Sequence, residues 1–283
     1  MCLTRAVLIA PVFAPLLTGC NLAVLDPRGP IAAQNKQILV GSLAIMLAIV
    51  VPTLIGLCAF AWWFRAGNSR AHRRPDFRYS GQIELVVWSI PILTVMLLGG
   101  VIWVGAHRLD PGVPVQGDAA PVRVQVVSLD WKWLFIYPDQ KIVSVNQLLV
   151  PIGAPLKLEL TSASVMTAFF VPQWGSMIYT MNAMTSRLNL RVDQAGDYLG
   201  IASHLSGAGF ADMHFDARAM SPDAFAQWVR SAAGAPFDAE AYRHLEKQGP
   251  AEPMIRPLGD DNLFADIVSQ KLAPAPGPSV SEK

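Results

Sequence analysis

Two long apolar runs constrain the fold of this 283-residue chain more than any other feature. They extend over residues 38–64 and 83–106, and the first holds no charged residue. About 20 apolar residues are enough for a helix to cross the hydrocarbon core of a membrane. Tryptophans lie toward the ends of the runs, as at membrane interfaces: Trp62, Trp63, Trp88 and Trp103. The sequence therefore predicts two transmembrane helices. Its charged fraction of 15% agrees, because soluble domains average about 25%.

The short link between the runs, residues 65–82, predicts the orientation of the chain. It carries five arginines against a single acidic residue, Asp76: Arg65, Arg70, Arg73, Arg74 and Arg78. Short loops rich in Lys and Arg remain in the cytoplasm, so everything after residue 106 is predicted on the outer face. The formal net charge of the whole chain is only +1, which gives no basic field for nucleic acid.

The N-terminus has the pattern of an exported bacterial lipoprotein. Arg5 precedes an apolar run over residues 6–17 that is too short to span a bilayer comfortably. The run ends in Leu-Thr-Gly-Cys, which resembles the site where a lipoprotein is cut and acylated. We therefore predict that residues 1–19 are removed and that Cys20 becomes the lipidated first residue. This processing takes place outside the cytoplasm, in agreement with the predicted orientation.

Glu84 is an ionisable residue at the cytoplasmic start of the second apolar run. Ionisable side chains at membrane depth are costly and often belong to proton relays. Glu84 is, however, only a residue or two inside the run, so its carboxylate can also reach the interface. Position alone leaves both interpretations open.

Short β-like runs separated by turn residues follow the second apolar run. Residues 187–192 alternate strictly between polar and apolar side chains, as expected of a half-buried strand. Several such runs predict a β-sandwich of about a hundred residues. Beyond it, Ser221 followed by Pro222 predicts a helix start, and two further stretches are helix-like. The predicted divisions are a signal peptide (1–19), an acylated segment (20–37), two spans (38–64 and 83–106) with their link (65–82), a linker (107–120), a sandwich (121–217), a helical extension (218–272) and a Pro/Ser-rich disordered tail (273–283).

Four stretches carry a resemblance to a known family: "ELVVWSIPI", "SLDWKWLFIYP", "SVMTAFFVP" and "SHLSGAGFADMHF". From Cys20 to about Leu272 the chain resembles subunit II of the haem–copper respiratory oxidases. The resemblance implies two N-terminal transmembrane helices, then a cupredoxin-like β-sandwich and a helical C-terminal extension. Members of that family that oxidise cytochrome c hold a two-copper centre, CuA, in the sandwich.

The residues that would hold CuA are replaced in this chain. At the positions matching its histidine and cysteine ligands stand Thr167, Ala202, Ser206 and Phe210, whereas Met213 keeps the ligand type. The copper pair requires bridging thiolates, and no cysteine follows Cys58. The loop also carries His204, Asp212 and His214, but a metal site needs three or four convergent ligands, and these form no convincing set. We therefore expect this chain to bind no metal.

Loss of the copper ligands is, within the family, the mark of the quinol-oxidising branch, and the chain is similar to subunit II of cytochrome o ubiquinol oxidases. The resemblance implies a subunit without a redox centre in a proton-pumping enzyme of the bacterial inner membrane. That enzyme oxidises ubiquinol and reduces oxygen to water. Haems and one copper would lie in partner subunit I, and further subunits and membrane lipid would complete the contacts. Glu84 would match a family glutamate near the entrance of a proton-uptake channel.

Trp131 and Trp133 match an aromatic stretch near electron entry in the cytochrome c branch. Here we expect them to serve in core and interface packing. Two other functions stay open. One is a membrane-anchored, cupredoxin-like binding or assembly lipoprotein without an oxidase role, and the other, disfavoured by the missing cysteines, is a true cytochrome c oxidase subunit.

Overall fold

The computed structural model describes residues 22–72, 75–117, 119–275 and 277. The predicted signal peptide and the lipidation site Cys20 lie outside the described residues, as do Arg73, Arg74 and most of the predicted tail.

Two long helices form the N-terminal part, as predicted. Helix α1 spans Pro30–Trp63 and helix α2 spans Gly81–Arg108, and none of the most apolar window of either helix is buried. Helix α1 begins eight residues before the predicted span because Pro30 occupies a first-turn position, where proline is favourable. Its first turns hold polar residues, so the helix continues beyond its apolar part. The first half of α1 and the end of α2 approach closely: a Cβ on Gly105 would lie 2.8 Å from Ile38 Cδ1.

The predicted cupredoxin-like β-sandwich is confirmed as two mixed sheets. The first has the strand order β11-β3-β2-β1-β5-β8 and the second β4-β10-β9-β6-β7. Strand β1 is parallel to β5 and β4 is parallel to β10, while the other pairs are antiparallel. The strands are β1 (Val122–Leu129), β2 (Lys132–Tyr137), β3 (Ile142–Val145), β4 (Gln147–Pro151), β5 (Pro155–Ser162), β6 (Thr167–Phe170), β7 (Ile178–Thr180), β8 (Ser186–Arg191), β9 (Gly196–Ala202), β10 (His214–Met220) and β11 (Met254–Pro257).

An aromatic cluster fills the space between the sheets. Trp133 is fully buried, and its ring meets the edges of Phe169 and Phe215 at centroid distances of 5.6 and 5.5 Å. Phe135 adds a contact of 5.1 Å with Phe215. Such pairs add to the free energy gained by burying the rings. Trp133 is therefore a core residue, as the sequence predicted.

Of the three helices in the C-terminal region, the first packs against the main core, and the other two cover the face of the first sheet that points away from the second sheet. Helices α3 (Pro222–Arg230), α4 (Ala239–Leu245) and α5 (Leu263–Val268) follow strand β10. Tyr242 and Phe264, from α4 and α5, belong to a second buried cluster with Leu134 and Ile136 of β2. Every residue of β2 is consequently buried, because both faces of its sheet are covered.

A purely helical extension over residues 218–272 is not what the structure contains. Strand β10 continues to Met220, past the predicted boundary at 217, and Met254–Pro257 forms strand β11 at the edge of the first sheet. The sequence Met-Ile-Arg-Pro does not predict this strand, because it is only four residues long and contains a proline. Proline is tolerated mainly at sheet edges, which is where this strand lies. The region is thus tied into the sandwich by backbone hydrogen bonds as well as by its helices.

Candidate functional site

The loop between β9 and β10 covers residues 203–213 and holds most of the positions that the sequence resemblance matches to copper ligands. Strand β6 pairs with β9, and the Ser203 N–H continues this pairing by donating to Ala168 O at 3.0 Å. The Thr167 hydroxyl donates to His204 O at 3.3 Å. The sandwich therefore brings the start of β6 against the start of the loop, although 37 residues separate Thr167 from His204.

The positions that match copper ligands are filled by groups that bond to one another. The Ser206 hydroxyl donates to Met213 Sδ at 3.8 Å, and the Ala202 N–H donates to Met213 O at 3.1 Å. Thr167, Ala202, Ser206 and Met213 are all buried, and Phe210 packs against the main core cluster. Met213 is therefore packed in the core, with its sulfur and its carbonyl oxygen both accepting hydrogen bonds. The structure brings the matched positions together at one end of the second sheet, where they are packed against one another.

Trp131 closes this loop from the side of the first sheet. It lies in the tight turn between β1 and β2 with a φ of 67°, a left-handed conformation rare for a bulky residue. Its indole Nε1–H donates to Ser206 O at 3.3 Å. A Cβ on Gly209 would lie only 2.1 Å from Trp131 Cδ2, so the ring occupies the space that a side chain at 209 would need. Packing is the role predicted for Trp131 from the sequence, but its particular contact with Gly209 was not predicted.

Lys132 ties the same turn to the C-terminal region. Its ammonium donates to Lys247 O at 2.6 Å. Burial lowers the pKa of Lys132, and the negative charge of Asp130 raises it by less. The Trp131 turn is thereby held on two sides, by the loop and by the segment after α4.

The other possible metal ligands of the loop do not converge. His204 lies edge-on to the Tyr179 ring at 5.7 Å, whereas Asp212 and His214 line a shallow pocket of about 220 Å³ with Asn146. Across residues 22–72, 75–117 and 119–275, no group of three or more His, Cys, Asp or Glu side chains is placed to hold a metal ion. This arrangement is consistent with a subunit that lacks CuA.

Glu84 lies in a separate region of the molecule. It belongs to the first turn of α2, where its backbone N–H donates to Ser80 O at 3.0 Å. Its exposed side chain shares a shallow pocket with Phe77, Tyr79 and Trp88. At about 1.5 Å per residue, α2 carries Glu84 roughly 36 Å from its C-terminal end at Arg108, where the linker to the sandwich begins. Glu84 therefore forms a site distinct from the loop. A carboxylate is favourable at this helix N-terminus.

No family model matches the sequence. Among solved structures, the periplasmic domain of subunit II of cytochrome oxidase (CoxB) of Bradyrhizobium japonicum aligns with 23% identity and a TM-score of 0.38. That alignment covers 41% of this chain and 94% of the domain. A chain of a heme-copper terminal oxidase dimer solved by cryo-EM aligns with 12% identity and a TM-score of 0.40, over 49% of this chain and 99% of that one.

The curated relatives are more similar in sequence to this chain than these solved structures are. Subunit 2 of the cytochrome bo(3) ubiquinol oxidase of Pseudomonas aeruginosa is 39% identical over 260 residues, which cover 91% of this chain and 78% of that protein. Ubiquinol oxidase subunit 2 of Acetobacter aceti is 41% identical over 261 residues, covering 91% and 85%. Quinol oxidase subunit 2 of Bacillus cereus is 34% identical over 218 residues, covering 76% and 75%.

Proposed function

The chain belongs to the ubiquinol oxidase subunit 2 family, and we propose that it is the second subunit of a proton-pumping terminal oxidase in the bacterial inner membrane. The complex oxidises ubiquinol and reduces oxygen to water. The observation that carries the proposal is identity of about two residues in five along nearly the whole chain. The alternative of a cupredoxin-like assembly lipoprotein is not favoured by these relatives.

The chemistry of the electron donor explains why the loop needs no ligands. Cytochrome c is soluble in water and requires an electron inlet on the outer face. Ubiquinol is soluble in lipid and donates its electrons within the membrane, to cofactors of another subunit. The sequence after Cys58 has no thiolate to bridge a copper pair, and the matched positions are closed by packing. Haems and the one copper of the complex accordingly belong to partner subunit I.

A scaffold is the role that remains for this chain. Helices α1 and α2 expose apolar side chains along most of their length, including Leu54, Phe60, Leu85 and Val95. These surfaces suit lipid and the transmembrane helices of subunit I, while the sandwich covers the outer face of the complex.

Glu84 supplies a second, smaller role. We propose that its carboxylate contributes to proton uptake at the cytoplasmic entrance of a channel in subunit I. Its place in the first turn of α2 and its exposed side chain support this role.

Acylation of Cys20 adds a third membrane attachment in this proposal. Six residues separate Cys20 from Asp26, where the chain contacts the sandwich. Even when fully extended they reach about 20 Å. The lipid would therefore enter the membrane near the start of α1, beside the exposed side chains of Leu22 and Val24.

Purification of the tagged full-length chain in mild detergent tests the proposal. We expect co-purifying haem, visible in reduced-minus-oxidised spectra, and one copper per complex by elemental analysis. A chain purified without haem from cells that express the oxidase would contradict the subunit assignment and support the assembly lipoprotein. Two further coppers in each complex would contradict the assignment of all metal to subunit I.

A further inference from the structure

Strand β8 is the edge strand of the first sheet, with β5 as its strand partner. Edge strands leave backbone N–H and C=O groups unpaired and are usually covered. Here the cover comes from two segments that are far apart in sequence: the linker after α2 and the segment before α1. Both junctions between membrane helices and sandwich therefore meet at one strand.

The linker contacts β8 through backbone carbonyls. The backbone N–H and the side-chain amide of Asn189 both donate to Pro111 O, at 2.9 and 3.0 Å. The Arg191 guanidinium donates to Gln116 O at 2.5 Å. Since α2 ends at Arg108, these bonds begin three residues beyond the helix and hold a linker that is rich in Pro and Gly.

The segment before α1 contacts the same end of β8. The Asp193 N–H donates to Arg28 O at 2.9 Å, and the Arg28 N–H donates to Gln173 O at 2.8 Å. Gln173 Nε2 donates to the Asp26 carboxylate at 3.2 Å. A Cβ on Gly29 would lie 2.1 Å from Arg191 O, so the backbone there lies directly against the strand. Helix α1 starts at the next residue.

Arg191 and Asp193 connect the contact made by the linker with the contact made by the segment before α1. The Arg191 guanidinium binds both carboxylate oxygens of Asp193, with Nε–Oδ1 at 2.7 Å and Nη2–Oδ2 at 3.3 Å, while it also holds Gln116 O. Asp193 in turn holds Arg28 through its backbone. A two-pronged Arg–carboxylate pair has a defined geometry, so one side chain fixes the linker and steadies the loop that binds the N-terminal segment.

We propose that this junction clamp, formed by residues 26–29 and 111–116 on Asn189, Arg191 and Asp193, is a positioning element for the outer domain. It fixes the orientation of the sandwich over the membrane hairpin and so determines how the sandwich meets subunit I. The second half of this inference rests on the proposed function. Arg191 and Gly29 are its positioning residues.

Hydrogen exchange of the purified complex, followed by mass spectrometry, tests the clamp. In Arg191→Ala we expect the peptides covering residues 22–30 and 109–117 to exchange faster together, by about tenfold, because both segments detach from the sheet more often once the guanidinium that joins them is lost. Arg123→Ala is the matched control: it removes an exposed Arg–Asp139 pair from the same sheet and should leave both peptides unchanged. Unchanged exchange in Arg191→Ala, or a response of the linker alone, would overturn the clamp.

Two more variants keep the test decisive if Arg191→Ala loosens the whole sandwich. Arg191→Lys retains a cation able to reach Gln116 O and should recover part of the protection. Gly29→Ala acts from outside the sandwich and should speed exchange in residues 22–30. Normal exchange in Gly29→Ala would contradict the close contact at Arg191 O.

The link to subunit I has a separate readout, the amount of haem that co-purifies with each tagged variant. It should fall in Arg191→Ala and Gly29→Ala but not in Arg123→Ala. Full haem retention with a loosened clamp would overturn the positioning role. A wild-type chain without haem would overturn the proposed function, while the exchange experiment would still decide whether the clamp exists.

Discussion

The Trp131 ring occupies the space beside Gly209, so a side chain at position 209 would collide with it. The backbone of Gly209 has a φ of −90°, which alanine adopts readily, so the cost of a side chain there arises from the Trp131 ring alone. We predict that Gly209→Ala lowers the free energy of unfolding by about 1–3 kcal/mol, the usual range for overpacking. Urea unfolding of the detergent-solubilised chain, followed by circular dichroism, measures it.

The same substitution in a Trp131→Ala background is the control. Without the ring the added methyl group has space, so Gly209→Ala should then be close to neutral, and the two changes should be clearly non-additive. Equal costs in both backgrounds would show that the ring is not the cause.

Glu84 is the residue with the most direct functional prediction. Glu84→Ala should slow quinol-driven oxygen uptake of the purified complex without reducing its haem content. Asp76→Asn, in the link between the two long helices, removes another acidic side chain and should leave turnover unchanged. Wild-type turnover in Glu84→Ala would exclude a role in proton uptake, and loss of haem would indicate a structural role.

Helix α4 depends on a charged cap, Asp238. Its carboxylate accepts the N–H groups of Glu240 and Ala241, both at 3.0 Å, and these bonds lower the pKa of Asp238, the bond from Ala241 most. Since the folded-state pKa is the lower one, the stabilisation is complete above the ordinary value of 3.8 and is lost as the pH falls through the folded-state pKa.

Asparagine at 238 retains the acceptor oxygen but not the charge. The stability difference between wild type and Asp238→Asn should therefore be constant above about pH 5 and shrink below pH 4. Thermal unfolding between pH 3 and 6 measures this difference. Glu252→Gln, an exposed change in the same region, should show no such trend, and a difference that persists at pH 3 would contradict the role of the charge.

The elements differ in how well the sequence predicts them. Helices α1 and α2 follow from uninterrupted apolar runs, and β8 follows from its alternation, because burial by lipid or core leaves a direct trace in composition. Strand β11 leaves none, since it is four residues long and is stabilised by pairing with β3. The loop could be predicted to lack copper from Ala202 and Ser206, but its closure by Trp131 depends on a turn 75 residues away.

On the scale of the whole molecule, the arrangement of membrane and outer domain was predicted only in part. The orientation follows from the arginines of the link, whereas the clamp joins residues near 28, 113 and 191 that share no local pattern. Contacts of that kind arise from the fold and appear only once the sheets are assembled. The sequence therefore predicts the parts and their sides of the membrane, and the structure shows how the parts are attached to one another.

The orientation itself predicts which cysteines a membrane-impermeant maleimide will label. Ser69→Cys lies in the exposed link and should react only after the inner membrane is permeabilised, while Ser231→Cys in the outer domain should react in intact spheroplasts. The native Cys58 lies within α1 and should be shielded by the membrane. Labelling of Ser69→Cys in intact spheroplasts would reverse the topology.

The central claim is that this chain serves an oxidase that takes electrons from quinol within the membrane. Oxygen uptake by the purified complex, measured with a short-chain ubiquinol and separately with reduced cytochrome c, tests it most directly. We expect rapid uptake with ubiquinol and none above background with cytochrome c. Uptake driven by cytochrome c, or a haem-containing complex that does not respond to ubiquinol, would contradict it.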